Sequence, residues 1–274
     1  MEMCGGTIFY SVRPSNMLDA VIISDLHLGC DNCQAKYVCE LLERITEGDL
    51  LTSRLILNGD VFDSFDFRRL NKNHWKVLSL IRKLSDHLEI LWVAGNHDGS
   101  AEVISHLLGV TVQDDCILES GKERFLILHG HRFDAFIDKH PILTWMADRL
   151  YNFLQWIDRS HYFAKLAKHG SKTFLRCARL IEESATELAR RRGCSAAVCG
   201  HTHHACAHVD QPIPYFNSGC WTELPCTYLT VAAGAVQLHE FVPEPAAAPA
   251  SQDNVASSAR KVEALVEEPS CAVR

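Results

Sequence analysis

The chain has 274 residues, of which 47% are hydrophobic, enough for a substantial core and too many for a disordered or fibrous chain. Against 34 Asp and Glu stand 27 Lys and Arg, a formal net charge of -7, which excludes a general nucleic-acid binder because such proteins need surplus cations to displace phosphate counterions. The 12 cysteines are scattered and no basic-then-apolar leader opens the chain, so the thiols are read as reduced and the protein as cytoplasmic; no apolar run approaches the ~20 residues that span a bilayer.

Residues 1–19 read as an extension without periodicity. An apolar run predicts a strand over 20–24, and Tyr37, Val38, Leu41, Leu42 and Ile45 at helical spacing predict a helix over 34–46. The alternation continues with a strand over 54–58, a helix over 71–86, a strand over 89–94 and a short helix over 101–108, a pattern that predicts right-handed crossovers and a largely parallel sheet. Further strands are expected over 124–128 and 196–199, then a closely spaced, antiparallel group over 215–217, 227–231 and 235–241. Residues 132–192 carry no strand signal, are aromatic-rich in their first half, and hold twelve basic against seven acidic side chains, a local charge of +5. They are read as a helical insertion in a domain spanning 20–242. Residues 243–274, rich in Pro, Ala, Ser and Glu, bury too little apolar surface to offset ordering entropy and are read as a disordered tail.

Five polar clusters follow the strands: Asp25-Leu26-His27, Gly59-Asp60, Gly95-Asn96-His97-Asp98, His129-Gly130-His131 and Gly200-His201-Thr202-His203. In extended backbone residues i and i+2 face the same way, so Asp25 with His27, and His201 with His203, are expected to reach one point. Parallel sheets place their ligands beyond the carboxyl ends of strands, so clusters distant in sequence should converge there. Carboxylate, imidazole and amide oxygen make a mixed donor set that suits Mn, Fe or Zn, whereas thiolates alone would suit structural zinc and oxygens alone Ca or Mg. Four or more His with two Asp and an Asn exceed the needs of one tetrahedral ion, so two divalent ions are inferred, about 3.5–4 Å apart. The Cys30-x-x-Cys33 pair, without a second pair, reads as two loop thiols.

These five motifs, in this order, resemble the calcineurin-like metallophosphoesterase superfamily over residues 20–241. The resemblance implies an α/β fold, a four-layer α/β/β/α sandwich with a helical insertion. It implies that Asp25, His27, Asp60 and His203 hold the first metal, that Asp60 bridges, and that Asn96, His129 and His201 complete the second. It also gives His97 the role of protonating the leaving oxygen or stabilising the phosphoryl charge, with Asp98 orienting it. Asp63, three residues past Asp60, would support a ligand from behind.

A narrower resemblance rests on Ser24-Asp25-Leu26-His27-Leu28-Gly29-Cys30, on residues 129–134 and 199–205, and on Tyr215-Phe216-Asn217-Ser218-Gly219-Cys220-Trp221-Thr222-Glu223. These are similar to the bacterial UDP-2,3-diacylglucosamine pyrophosphatases, whose best-known branch has Arg where this chain has His97. That resemblance implies cleavage of UDP-2,3-diacylglucosamine to UMP and the diacylglucosamine 1-phosphate in lipid A synthesis. Manganese is the expected metal, with Fe, Zn and Mg as alternatives. Expected substrate contacts are Asn58, Arg132, Trp145, Arg149 and Trp156, the insertion facing anionic lipid in a peripheral contact at the inner membrane face. A broader phosphodiesterase or phosphomonoesterase acting on another nucleotide or phospholipid is the alternative among enzymes, and a non-catalytic scaffold the alternative outside them. The complete donor set, with Asn96 and His97 present, favours the enzyme.

Overall fold

Alternation along the central strands sends side chains to two faces, and both faces are covered. The computed structural model describes residues 17–134 and 172–244. Its first sheet contains β1 (Ala20–Ile23), β2 (Arg54–Asn58), β3 (Glu89–Val93), β4 (Thr111–Gln113), β10 (Thr227–Ala232) and β11 (Ala235–Glu240). Their order is β11-β10-β1-β2-β3-β4, parallel from β1 to β4 and antiparallel from β1 to β11. The second sheet contains β5 (Asp115–Ser120), β6 (Glu123–Leu128), β7 (Ala196–Cys199), β8 (Cys206–His208) and β9 (Tyr215–Asn217), in the order β5-β6-β7-β9-β8.

Val21, Ile23, Leu55, Leu57 and Trp92 on the outer face of the first sheet pack under α1 (Ala35–Glu47), α2 (Lys72–Leu84) and α3 (Ala101–Leu108). Their neighbours Ala20, Ile22, Ile56 and Val93 turn inward against Phe125, Ile127, Ala196 and Val198 of the second sheet. The outer face of that sheet, with Leu126, Leu128, Ala197 and Cys199, is covered by α4 (Lys172–Arg191) through Ala185 and Ala189. The result is the expected α/β/β/α order of layers, and each fully buried Leu or Ile in it contributes about 1.5–3 kcal/mol. Helix α2 starts where its sequence dictates: the Asn71 side chain accepts from the backbone N–H of Asn73 and His74, and His74 Nδ1 accepts from the Asn71 N–H, a reciprocal cap of about 1 kcal/mol.

The expected largely parallel sheet is corrected to two mixed sheets, and β9 leaves the expected antiparallel group to pair in parallel with β7. Strands β4, β5 and β8 were not foreseen. β4 and β8 have three residues each, too few for periodicity, and β5 alternates buried Cys116, Leu118 and Ser120 with the exposed Ile117, which hides the pattern. Residues 17–19, placed in the extension, already join the sheet: Leu18 bridges Thr52, and the Asp19 N–H donates to the Val231 carbonyl. At the root of the 132–192 segment Arg132 and Arg192 both pair with Asp115, at 2.9 and 2.5 Å, fastening its two ends to the start of β5. Residues 1–16, 135–171 and 245–274 lie outside the described residues, and with them most of the insertion and tail. The chain divides into two units, Met1–Phe241 and Val242–Arg274. No helix among the described residues is long and apolar enough to cross a membrane.

Candidate metal centre

β1 and β2 stop as strands at Ile23 and Asn58, but their chains keep pairing. The N–H groups of Asp25, His27 and Leu28 donate to the carbonyls of Gly59, Asp60 and Val61. Through this stretch the backbone is not extended. Asp25, His27 and Asp60 adopt φ of 54°, 48° and 52°, and His201 and His203 follow with 67° and 54°. Five non-glycine residues in the left-handed region, all from the predicted clusters, are a concentration of strain of the order of 1–3 kcal/mol each, held by surrounding structure.

Asp25 and Asp60 divide their oxygens in the same way. Asp25 Oδ2 accepts from the His201 N–H at 3.0 Å, and Asp60 Oδ1 accepts from the His97 N–H at 2.9 Å. The second oxygens face imidazoles: Asp25 Oδ1 lies 3.2 Å from His203 Nε2, and Asp60 Oδ2 lies 3.2 Å from His129 Nε2. His27 Nε2 stands between, 4.0 Å from Asp25 Oδ1, 3.8 Å from Asp60 Oδ2 and 3.1 Å from His203 Nε2. Three donor groups result, and the two that sit deepest are the donor sets of the centre: Asp25 with His27 and His203, and Asp60 with His129 and His201; the third, His27 with Asp63 and His97, lies toward the exposed rim. Asp25 with His27 thus meets as expected, whereas His201 and His203, expected at one point, fall in different sets.

The residues fit divalent ions. Asp25 Oδ1 and His129 Nε2 are buried without a hydrogen-bond partner, an arrangement that costs about 1–3 kcal/mol per polar atom unless another group satisfies it. His129 Nδ1 lies 2.8 Å from the Asn58 carbonyl, an acceptor only, so the lone pair of the neutral ring is on Nε2 and faces Asp60. Burial alone would raise the carboxyls and lower the imidazoles, but the opposed charges win. His203 and His129 hold Asp25 down at about 2, Asp60 is held well below the usual carboxylate range, and His129 and His203 rise to about 9 and about 10. His131, half-buried beside His129 and His201, is lowered to about 4 by burial and by those neighbours. Glycines permit the approach: a Cβ on Gly59, at φ 84°, would sit 2.3 Å from His129 Nδ1, and one on Gly95 2.2 Å from the Asp60 backbone nitrogen.

Asn96 and His97 are exposed at the rim. His97 Nδ1 lies 3.0 Å from the Asp63 carbonyl, which fixes the Nδ1 proton and leaves Nε2 to exchange one. Asp98 is corrected: it does not orient His97. It is fully buried, its Oδ1 accepting from the Phe62 N–H and its Oδ2 from Trp92 Nε1 and the Gly95 N–H, and burial with the nearby Asp60 charge raises its pKa. Asp63 Oδ1 lies 3.7 Å from His27 Nδ1, in the supporting position expected of it. Asn58 is fully buried behind His129, its amide donating to the Leu128 carbonyl, so it cannot touch a substrate at the surface. Arg132 is partly exposed and engaged by Asp115; Trp145, Arg149 and Trp156 lie outside the described residues. Cys30 and Cys33 are free thiols whose pKa values burial pushes up. Sequence reasoning missed the floor of the 200–203 loop, where the buried Asn217 amide donates to the Gly200 carbonyl at 2.7 Å and Ser24 Oγ lies 2.7 Å from Ser218 Oγ.

Residues 19–205, more than half of the chain, match the calcineurin-like phosphoesterase family. The chain belongs to that family, and is a hydrolase of phosphoesters; the family uses divalent metals, and the two donor sets provide for them. No curated protein matches the chain. Similar solved structures include a predicted phosphoesterase from Streptococcus pneumoniae TIGR4, 19% identical over 81% of this chain and 96% of that one, with a TM-score of 0.37. The E. coli phosphoesterase Yfce is 14% identical over 81% and 99%, with a TM-score of 0.42. Vps29 from Entamoeba histolytica, solved with zinc, is 13% identical over 81% and 99%, with a TM-score of 0.41.

Proposed function

We propose that the protein is a dinuclear metal-dependent phosphohydrolase that cleaves the pyrophosphate bond of UDP-2,3-diacylglucosamine to UMP and the lipid phosphate. The observation that carries the reading is the pair of buried donor sets linked by His27, whose Nε2 lies within 4.0 Å of carboxylate oxygens from both. Asp25, His27, Asp60 and His203 would hold one ion, and Asp60, Asn96, His129 and His201 the other. Bound there, two divalent cations, with manganese the first to test, would activate a water toward neutral pH and neutralise charge building on phosphate oxygens.

The side chains do the rest. His129 offers its Nε2 lone pair because Asn58 holds its Nδ1 proton. His97, exposed and fixed at Nδ1 by the Asp63 carbonyl, presents Nε2 to the leaving oxygen as a general acid. Asp98 shapes the 95–98 turn that carries Asn96 and His97 by tying it to Phe62 and Trp92.

The substrate is supported by the motif resemblance in residues 24–30, 129–134, 199–205 and 215–223, and by the charge of +5 in 132–192, which suits a phosphorylated lipid and a peripheral contact at the inner membrane face. The test is to assay the Mn-loaded protein on UDP-2,3-diacylglucosamine beside an aryl phosphodiester. Release of UMP with strong preference for the lipid is expected; turnover of the diester alone would overturn the substrate and leave a broader phosphoesterase.

A further inference from the structure

Behind each donor set stands one carboxylate that belongs to neither. Asp63 Oδ1 faces His27 Nδ1 at 3.7 Å, and Asp134 Oδ2 faces His201 Nε2 at 3.2 Å. Asp134 lies five residues past His129, at the end of the single 3-10 turn His131–Phe133, next to the Arg132 that pairs with Asp115. Its side chain is only 12% exposed and that of His201 10%, so the pair meets where screening by water is weak. A carboxylate accepts and cannot donate, so it draws the ring proton onto Nε2 and leaves the lone pair on Nδ1.

We propose that Asp134 is a positioning residue of the metal centre: it fixes the tautomer and orientation of His201, so that Nδ1 faces the ion shared with Asp60 and His129. The inference rests on the dinuclear reading above. It predicts a selective effect, because the Asp134 carboxylate meets His201, a member of the second set. Partners that orient a ligating histidine change metal affinity by about 10–100-fold.

The experiment titrates Mn into the metal-free full chain by calorimetry, and follows the two-ion state by the paramagnetic resonance signature of coupled Mn, for wild type, Asp134→Ala and Asp134→Asn. Wild type is expected to take up two ions. Asp134→Ala should bind the first normally and the second about 10–100-fold more weakly, and Asp134→Asn, which keeps an acceptor oxygen, should recover part of that loss. Two ions in wild type with both affinities unchanged in Asp134→Ala would overturn the role of Asp134 alone, as would equal weakening of both sites together with a lowered melting temperature. Fewer than two ions in wild type would overturn the dinuclear reading beneath it.

Discussion

Asp25 Oδ1 and His203 Nε2 lie 3.2 Å apart, and the buried carboxylate oxygen makes no hydrogen bond. The same holds for His129 Nε2 beside Asp60 Oδ2. A cation held between such atoms would offset their desolvation where direct pairing does not.

Metal binding should therefore release protons. In the metal-free protein His129 and His203 are raised to about 9 and about 10, chiefly by Asp60 and Asp25 acting against burial. An ion must expel both protons below those values, so apparent affinity should rise with pH from about 6.5 to 9, up to roughly tenfold per proton per pH unit. The raised values also mean that the protonated rings stabilise the metal-free fold fully below about 6.5, a contribution lost as pH climbs through about 9 and 10. Calorimetry in buffers of different ionisation enthalpy, with apo melting curves across this range, reads both effects. Metal affinity independent of pH would contradict them.

His97 and Asp98 are adjacent but should behave oppositely. His97→Ala, at an exposed position, should lower kcat by about 100-fold or more with little change in melting temperature. Asp98→Asn replaces one of the two acceptor oxygens by an amide donor that must face at least one of the three fixed N–H groups, and should cost about 1–3 kcal/mol of stability while kcat per folded molecule changes far less. Denaturant unfolding beside steady-state kinetics separates the two; a stable Asp98→Asn with abolished kcat would restore it to the chemistry.

Gly59→Ala joins an unfavourable φ to a Cβ 2.3 Å from the His129 ring. Its strain of about 1–3 kcal/mol should fall on the second donor set, so the variant should melt earlier and retain fewer than two ions by elemental analysis. Wild-type metal content would refute this placement of His129.

Much of this was legible in advance because strands and ligands share a register: each apolar run ends at its polar cluster, as Leu57 and Asn58 lead to Gly59 and Asp60. The short strands β4 and β8 carried no periodicity. Asp98 was assigned to His97 by the resemblance, but the chain turns between them, placing one at the rim and the other against Trp92. Asp134 had no role assigned from the sequence, and the fold brings it to His201.

The central claim is a two-ion centre built on Asp60, and its most direct test is Asp60→Asn, measured for bound metal and for phosphoester hydrolysis against wild type. Two ions per chain in wild type, loss of at least one in the variant, and a fall in kcat of about 100-fold or more are expected. Hydrolysis by Asp60→Asn at the wild-type rate, or full wild-type activity after complete chelation, would contradict it.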